Sequence, residues 1–588
     1  MSIERLLAAY RDGSQDPGEV VARAYERARS ASQPAWIELV AWSAVRAALA
    51  QLRSASADLP LYGVPFAIKD NIDLAGTPTT AACPAFSYVP ERSAFVVERL
   101  MAAGAIPIGK TNMDQFATGL TGTRTPHGAC ASVADPRYIS GGSSSGSAVG
   151  VADGTVPFAL GTDTAGSGRV PAAMNAIVGL KPSIGRLSTS GVVPACRSLD
   201  CVSILTGDVA DAARLLDVAS GPDAGDPYSR VPPAAAAERL AWGTAGARLA
   251  VPRAGTLGFC GDEQAARAWE RARERALALG WELVEIDFAP FAEVARLLYD
   301  GPWVAERYAA VGAFIAAHPA DVDPSVREVV MRAGEFSAVE AFEGAQRLAE
   351  LRAATRTVWE RADALLLPTA PTMFTAAEIA EQPIVRNAQL GTYTNFVNLL
   401  DLCAIAVPAA ARADGLPFGV SLIAPAGAER ALLTLAGRWR DEHSGRAADP
   451  ATDAIALAVV GAHLTGEPLN GQLTGLGARL LETTRTAPTY RLFELPGAVP
   501  AKPGLVGGGP PAGDGIEVEI WELAPESFGR LVAGVPPPLA IGTIELADGR
   551  LVKGYLCEAD GVAGAREITA YGGWRAYRAA AGLTGASS

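Results

Sequence analysis

Short apolar runs alternate with amphipathic stretches along the first three quarters of the chain. From about residue 61 to 250, the runs VPFAI, AIPIG and VPFAL are separated by helix-like segments such as AFVVERLMAAG. The alternation continues through RLAV, ADALLLP and FGVSLI. Uninterrupted apolar runs of this length predict strands that are buried on both faces of a sheet. We therefore predict one large α/β unit over residues 1 to about 440, in which 290–360 is mostly helical.

The pattern changes after Glu442, where HSGRAADPATDA is polar and rich in residues that break helices and strands. Such a segment is typical of a linker. Beyond it, IEVEIWEL alternates apolar and charged positions, and TIELADGRLVKGYL contains an Asp548-Gly549 pair that favours a hairpin turn. The sequence thus predicts a first domain over 1–442, a linker over 443–455 and a smaller, β-rich domain over 456–588.

Composition and charge narrow the possible functions. The 588 residues are 49% hydrophobic and 19% charged, which is usual for a globular protein with more than one domain. The formal net charge of −13 argues against nucleic-acid binding, because that function needs a basic surface. Seven scattered cysteines without a CxxC pair indicate reduced thiols, and four histidines without ligand-like spacing indicate no metal site. The N-terminus lacks a signal-peptide core and no run is long enough to span a membrane, so we expect a cytoplasmic protein.

Candidate chemistry concentrates between Gly141 and Arg169, in GGSSSGSAVGVADGTVPFALGTDTAGSGR. Two serine–glycine clusters flank an apolar run there. The phosphate-binding patterns GxxxxGK[ST] and GxGxxG are absent. GSSSG at 142–146 fits the GxSxG nucleophile elbow, but no histidine suggests itself as a triad partner. From the residues alone, a tight structural turn and a catalytic loop both remain open.

This stretch, together with the upstream YGVPFAIKDNID, resembles the amidase signature family. The resemblance implies a mixed central sheet covered by helices and a Ser–cis-Ser–Lys triad without a cofactor. Ser167 would be the nucleophile, and Ser143, after a cis peptide bond at Gly142, would be the bridging serine. Lys69 would be the general base. A lysine can accept a proton only when it is neutral, and burial beside apolar Ile68 and near no carboxylate would lower its pKa.

The same resemblance assigns roles around the nucleophile. The backbone N–H groups of Thr164, Ala165, Gly166 and Ser167 would form the oxyanion hole. Asp163 and Arg169 are expected to brace this loop rather than to react. Adjacent side chains on a strand point to opposite faces, so Asp70 should point away from Lys69. Three further residues receive only structural interpretations, as a solvated or supporting lysine and two core thiols: Lys110, Cys83 and Cys130.

The sequence of the second domain indicates which substrate the protein uses. Its AVVGAHLTGEPLNGQLTGLGARLLETTRTAPTYRL and its ending REITAYGGWRAYR resemble the C-terminal domain of the allophanate hydrolase family, a small γ-glutamyl-cyclotransferase-like barrel. The resemblance implies an amidohydrolase that converts allophanate and water to ammonia and carbon dioxide in urea degradation. Urea carboxylase would be its functional partner, and the chain would form a homodimer.

Allophanate is small and anionic, so its pocket needs a group that binds a carboxylate, and arginine suits that geometry. Tyr299 and Arg307 in LLYDGPWVAERY resemble the substrate-binding insertion of that family. The alternative is a solvated helix arginine and a core tyrosine. Arg124 is a rival anion ligand, and the loop around Gly122 offers backbone groups to the substrate.

His463 is the one candidate in the second domain. The resemblance implies that it acts as a proton donor or base in the decarboxylation of N-carboxycarbamate, with Asn470 and Gln472 orienting the carboxylates. Its alternative is a structural histidine at the end of an apolar strand. Three other functions stay open: a different amidase, the A-type component of a glutamyl-tRNA amidotransferase, and a second domain that serves only for binding or assembly.

Overall fold

The computed structural model describes residues 2–54, 56–230, 246–409, 412–441, 455–497, 500–511, 513–523 and 525–582. The chain divides into two compact units, Met1–Gly445 and Arg446–Ser588. The linker predicted at 443–455 lies outside the described residues, except for Ile455, with which a strand begins.

The first unit is built on a mixed sheet, as predicted. Its eleven strands among the described residues follow the order β1-β3-β2-β4-β6-β5-β10-β11-β9-β7-β8. The parallel pairs are β2 with β3 and β4, and β7 with β8 and β9; the other neighbours are antiparallel. The strands are β1 Trp36–Leu39, β2 Pro65–Lys69, β3 Ile106–Thr111, β4 Phe158–Thr162, β5 Val178–Lys181, β6 Val202–Thr206, β7 Arg248–Pro252, β8 Glu282–Ile286, β9 Ala364–Pro368, β10 Leu402–Pro408 and β11 Gly419–Pro425.

Helices cover this sheet, and none among the described residues is both long and apolar enough to cross a membrane. Before β8 they are α1 Ile3–Arg11, α2 Pro17–Arg29, α3 Trp42–Leu52, α4 Phe95–Ala102, α5 Ser145–Ala152, α6 Arg169–Met174, α7 Val209–Ala219 and α8 Glu263–Ala278. After β9 they are α15 Ala376–Glu381, α16 Pro383–Leu390, α17 Phe396–Leu399 and α18 Glu429–Asp441.

The region between β8 and β9 is mostly helical, which confirms the prediction for 290–360. Its helices are α9 Ala289–Asp300, α10 Val304–Arg307, α11 Ala313–Ala317, α12 Pro324–Met331, α13 Ala338–Arg356 and α14 Val358–Arg361. A π-helical turn over Tyr308–Gly312 joins α10 to α11.

Two parallel strands in the middle of the sheet place the candidate chemistry. Every residue of β2 and β4 is buried, and the rings of Phe66 and Phe158 stack 5.0 Å apart between them. Because β2 and β4 run in the same direction, their last residues, Lys69 and Thr162, meet at one edge of the sheet. Loops at the carboxyl ends of parallel strands are the usual place for active sites in α/β folds.

The second unit is smaller and rich in strands, as predicted. It contains a five-stranded sheet in the order β13-β16-β12-β18-β17 and a three-stranded sheet in the order β15-β14-β19. The Asp548-Gly549 turn joins β17 and β18 as an antiparallel hairpin. The described elements are β12 Ile455–Val459, α19 Asn470–Gly475, β13 Arg479–Arg485, β14 Arg491–Glu494, β15 Pro503–Val506, β16 Glu517–Leu523, α20 Pro525–Ala533, β17 Leu539–Glu545, β18 Leu551–Cys557, β19 Arg566–Glu567 and α21 Trp574–Ala580.

Candidate active site

Lys69 lies fully buried at the end of β2. Its Nζ donates hydrogen bonds to Ser143 Oγ at 2.7 Å and to Thr162 Oγ1 at 2.6 Å. Burial lowers the pKa of Lys69 from its ordinary value of 10.5 to about 7, although the negative charges of Asp114, Asp163 and Asp200 act in the opposite direction. A substantial fraction of this lysine is therefore neutral near pH 7 and can accept a proton.

The expectation that no carboxylate lies near Lys69 is wrong, because Asp114, Asp163 and Asp200 are near enough to affect its pKa. The expectation for Asp70 is confirmed: its carboxylate lies 3.2 Å from Lys110 Nζ on the neighbouring strand. Lys110 is fully buried in this ion pair and also donates to Thr79 Oγ1 at 2.9 Å. The interpretation of Lys110 as a solvated lysine is therefore wrong, because the parallel pairing of β2 and β3 brings it against Asp70.

Ser143 follows a cis peptide bond, Gly142–Ser143. The neighbouring serines have structural partners. Ser144 Oγ donates to the Thr162 carbonyl at 3.2 Å, and Ser145 Oγ donates to the Asn112 carbonyl at 3.2 Å. Within the serine cluster, Ser143 is the residue whose hydroxyl contacts Lys69.

Ser167 lies on the second loop, after β4. Its Oγ donates to the Gly119 carbonyl at 3.3 Å, and its own carbonyl accepts from the Ser144 N–H at 3.2 Å. The second contact ties the two serine loops together. Across the described chain, no hydrogen bond joins the hydroxyls of Ser143 and Ser167, so a direct relay requires the Ser167 side chain to rotate away from Gly119.

Asp163 organises the loop that carries Ser167. Its carboxylate accepts both arms of the Arg169 guanidinium at 2.9 Å, and it also accepts the N–H groups of Gly166 at 2.8 Å and Gly168 at 3.2 Å. Both side chains are fully buried. The contacts confirm that Asp163 and Arg169 brace the loop.

The same contacts reduce the number of N–H groups that are available to the predicted oxyanion hole. The N–H group of Gly166 is committed to Asp163. Among the described residues, those of Thr164, Ala165 and Ser167 donate to no protein acceptor. Gly166 instead serves the shape of the loop, because its φ of +129° and the crowding of Thr394 leave no room for a side chain.

Arg307 is buried on the helical insertion and has few partners. Its guanidinium donates to Thr118 Oγ1 and to the Tyr299 hydroxyl, both at 3.1 Å, and stacks over the Tyr299 ring at 5.0 Å. Its Nε has no hydrogen-bond partner in the described structure. The carboxylates of Asp200 and Glu306 act on its charge from beyond the distance of an ion pair. The alternative of a solvated helix arginine is wrong, because 1% of Arg307 is exposed.

Arg307 and the candidate nucleophile, Ser167, contact two consecutive residues of the chain. Thr118 accepts its hydrogen bond, and the next residue, Gly119, accepts the one from Ser167. Consecutive Cα atoms are about 3.8 Å apart, so the guanidinium and the serine hydroxyl contact neighbouring residues of one short segment, the first through a side chain and the second through the backbone.

The two other predicted substrate contacts, Arg124 and the N–H of Gly122, already have hydrogen-bond partners within the protein. Arg124 donates to the carbonyls of Thr118 at 3.0 Å and Pro383 at 2.9 Å. The N–H of Gly122 donates to Asp114 at 3.0 Å, so what this glycine can still offer a substrate is its carbonyl oxygen.

His463 lies in the second unit at a cavity of about 440 Å³, which Lys502 and Tyr555 also line. Its Nε2 is 3.0 Å from Gln472 Oε1, and its ring stacks on that of Tyr555 at 5.0 Å. Burial lowers the pKa of His463. Asn470 donates to the His463 carbonyl at 2.9 Å and so supports the turn.

Two residues in the site have no signal of their own in the sequence: Thr162, which accepts from Lys69, and Thr118, which accepts from Arg307. Thr162 ends a predicted strand, and its position beside β2 is the one feature that could have suggested it. The two predicted core thiols, Cys83 and Cys130, are buried as expected.

The mixed sheet, with a buried lysine and two serine–glycine loops at the carboxyl ends of its parallel strands, defines an amidase-signature protein, a class of hydrolases that cleave C–N bonds. A family model described as Amidase matches residues 19–433, and one described as Allophanate hydrolase C-terminal domain matches residues 455–579. The chain belongs to the Amidase family and carries the C-terminal domain of allophanate hydrolases.

Individual relatives agree with these matches. The urea amidolyase of Saccharomyces cerevisiae is 43% identical over 92% of this chain and 31% of its own length. The urea amidolyase of Lachancea kluyveri is likewise 43% identical, over 92% of this chain and 31% of its own length. The crystal structure of Kluyveromyces lactis allophanate hydrolase superposes with a TM-score of 0.73 at 39% identity and covers 99% of both chains. This chain spans about a third of the urea amidolyases that it matches.

Proposed function

We propose that this protein hydrolyses allophanate to ammonia and carbon dioxide. The observation that carries the proposal is Arg307, a buried guanidinium without an ion-pair partner among the described residues, which contacts Thr118 beside the Gly119 carbonyl that accepts from Ser167. A buried charge is costly unless it is paired, so this arginine calls for an anionic ligand. Tyr299 fixes the guanidinium from the other side. A neutral amide would leave Arg307 unpaired.

In the proposed mechanism, Ser167 Oγ attacks the terminal amide carbonyl while its proton passes through Ser143 to neutral Lys69. The negative charge that develops on the carbonyl oxygen is stabilised by the N–H groups of Thr164, Ala165 and Ser167. The C–N bond then breaks, and ammonia leaves with the proton returned by Lys69 through Ser143. Water hydrolyses the acyl-enzyme by the same relay and releases N-carboxycarbamate.

The second unit would complete the reaction by promoting decarboxylation of N-carboxycarbamate. Its cavity presents the cation of Lys502 beside His463, whose position is held by Gln472 and Tyr555. Loss of carbon dioxide breaks an N–C bond and leaves the electron pair on nitrogen, which needs a proton that a histidine can supply. The carbamate that results breaks down to the second ammonia and the second carbon dioxide. Both the removal of the first ammonia and this later step would then belong to one chain.

Three further properties belong to the proposal. Urea carboxylase is the functional partner, because it produces allophanate and because the urea amidolyases related to this chain are about three times longer. The protein acts in the cytoplasm, in keeping with its seven free cysteines. It forms a homodimer, which sedimentation equilibrium would test.

The direct test compares ammonia release from allophanate, malonamide, glutamine and urea. We expect release from allophanate in preference to the three neutral or zwitterionic amides, and loss of this activity in Ser167→Ala. An enzyme that ignores allophanate but hydrolyses malonamide or glutamine would contradict the proposed substrate. Undiminished activity in Ser167→Ala would contradict the mechanism.

A further inference from the structure

Glu306 precedes the substrate-binding candidate Arg307 on helix α10 and contacts a different part of the protein. Its carboxylate accepts the Ser198 N–H at 2.6 Å and the Ser198 hydroxyl at 2.8 Å. Ser198 belongs to a loop over residues 195–200, which we call the bridging segment. A second contact joins this segment to the insertion, since Cys196 Sγ lies 3.8 Å from the Trp303 carbonyl.

The other end of the bridging segment holds the nucleophile loop. Asp200 accepts the Thr164 hydroxyl at 2.5 Å, and it also accepts the N–H groups of Ala195 at 2.8 Å and Cys196 at 3.2 Å. Asn398 donates to the carbonyls of Leu199 and Asp163, each at 2.8 Å. The segment is therefore fastened to the loop of Ser167 on one side and to the helix of Arg307 on the other.

The contacts that hold Arg307 are few and lie at its guanidinium, which also stacks on the Tyr299 ring. Its polar contacts are one threonine hydroxyl and one tyrosine hydroxyl, and its Nε is without a partner in the described structure. Helix α10 continues through the π-helical turn into α11, so Glu306 and Arg307 lie in the first turn of one helical segment over 304–317. Two charge-assisted hydrogen bonds from Ser198 to Glu306 tie the start of this segment to the bridging segment.

We propose that Glu306 and Ser198 are positioning residues that set the distance from the Arg307 guanidinium to Ser167, and thereby the preference for amides that carry a carboxylate. The inference rests on the proposed function, in which Arg307 binds the carboxylate of the substrate. Neither residue touches the substrate. Their effect passes through helix α10 and appears in substrate binding rather than in the chemical step.

The central variant is Glu306→Ala, which removes both acceptors. We expect KM for allophanate to rise about tenfold, the effect of losing hydrogen bonds to a charged group, while kcat stays within roughly a factor of two. Glu306→Gln is the conservative rescue, because its amide can accept from the Ser198 N–H and donate to the Ser198 hydroxyl. KM of Glu306→Gln should remain close to the wild-type value.

Glu293→Ala is the matched control. Glu293 lies on the same helical insertion and accepts from Arg347 Nε at 2.7 Å on the protein surface, away from the bridging segment. Its removal costs the insertion charge-assisted contacts of similar length, so general loosening of the insertion would raise KM in this variant as well. We expect KM to be unchanged.

A double-mutant cycle with Arg307→Ala completes the test, because interacting residues give non-additive effects. With Arg307 absent, adding Glu306→Ala should leave kcat/KM where Arg307→Ala alone puts it. Additive losses, an equal rise of KM in Glu293→Ala, or a fall in kcat at unchanged KM would each overturn the positioning role. If the wild-type enzyme does not hydrolyse allophanate, the proposed function fails instead, and the two failures are thereby distinguished.

Discussion

The pKa of Lys69 makes a quantitative prediction about the pH dependence of the enzyme. With a pKa of about 7, roughly 9% of this lysine is neutral at pH 6 and roughly 91% at pH 8. If neutral Lys69 is the base, kcat/KM for allophanate rises about tenfold over this interval and then levels off. A lysine with its ordinary pKa of 10.5 would give about a hundredfold rise over the same interval and no plateau.

Thr162→Val tests whether the base is Lys69. The hydroxyl of Thr162 accepts from Nζ at 2.6 Å and stabilises the charged form more than the neutral form. Its isosteric removal should move the rising limb of kcat/KM to lower pH by about one unit. Thr111→Val is the control, because Thr111 lies on the adjacent strand and shares a hydrogen bond with Ser147 instead. Initial rates of ammonia release at constant ionic strength would measure both profiles. The assignment of Lys69 would be refuted if the pH profile of kcat/KM in Thr162→Val matched that of the wild type. It would also be refuted if kcat/KM of the wild type kept rising up to pH 10.

Three other substitutions have defined outcomes. Arg307→Ala should lower kcat/KM for allophanate about 10²-fold, as expected when one partner of a buried charge pair is truncated; a change below threefold would exclude it as the carboxylate ligand. Ser143→Ala should reduce kcat by about 10³-fold or more while far-UV circular dichroism stays unchanged, because the relay between Ser167 and Lys69 is broken; retained kcat would show that protons take another route. His463→Gln should release the first ammonia at the normal rate and delay the second, as followed by coupled ammonia and carbon dioxide assays; equal timing of the two would make His463 structural.

The parts of the site that could be predicted are those that short motifs contain. Lys69 ends an apolar run, and Ser143 and Ser167 lie in serine–glycine loops, but their roles are implied by the resemblance of these motifs to the amidase signature family. The elements that place them could also be predicted, because β2 and β4 are continuous apolar runs. The contacts between the helical insertion and the bridging segment, by contrast, join residues that are far apart in sequence. Glu306 and Ser198, for example, are 108 positions apart. No local pattern reports such a contact.

The solvated alternative for Lys110 is wrong for the same reason, while the alternative of a supporting lysine agrees with its burial against Asp70. A lysine after an apolar run usually extends into solvent, and burial of its charge requires a partner. That partner, Asp70, lies on a parallel neighbour, and the register of parallel strands is set by the whole sheet.

The contacts of Asp163 also determine when the catalytic loop is ordered. Arg169 and the amides of Gly166 and Gly168 hold the loop in one conformation before any substrate arrives. Conformational entropy of this loop is therefore lost once, when the protein folds, and not again in each turnover. The temperature dependence of turnover should accordingly reflect bond rearrangement and side-chain rotation at Ser167, with little contribution from ordering of the backbone around it.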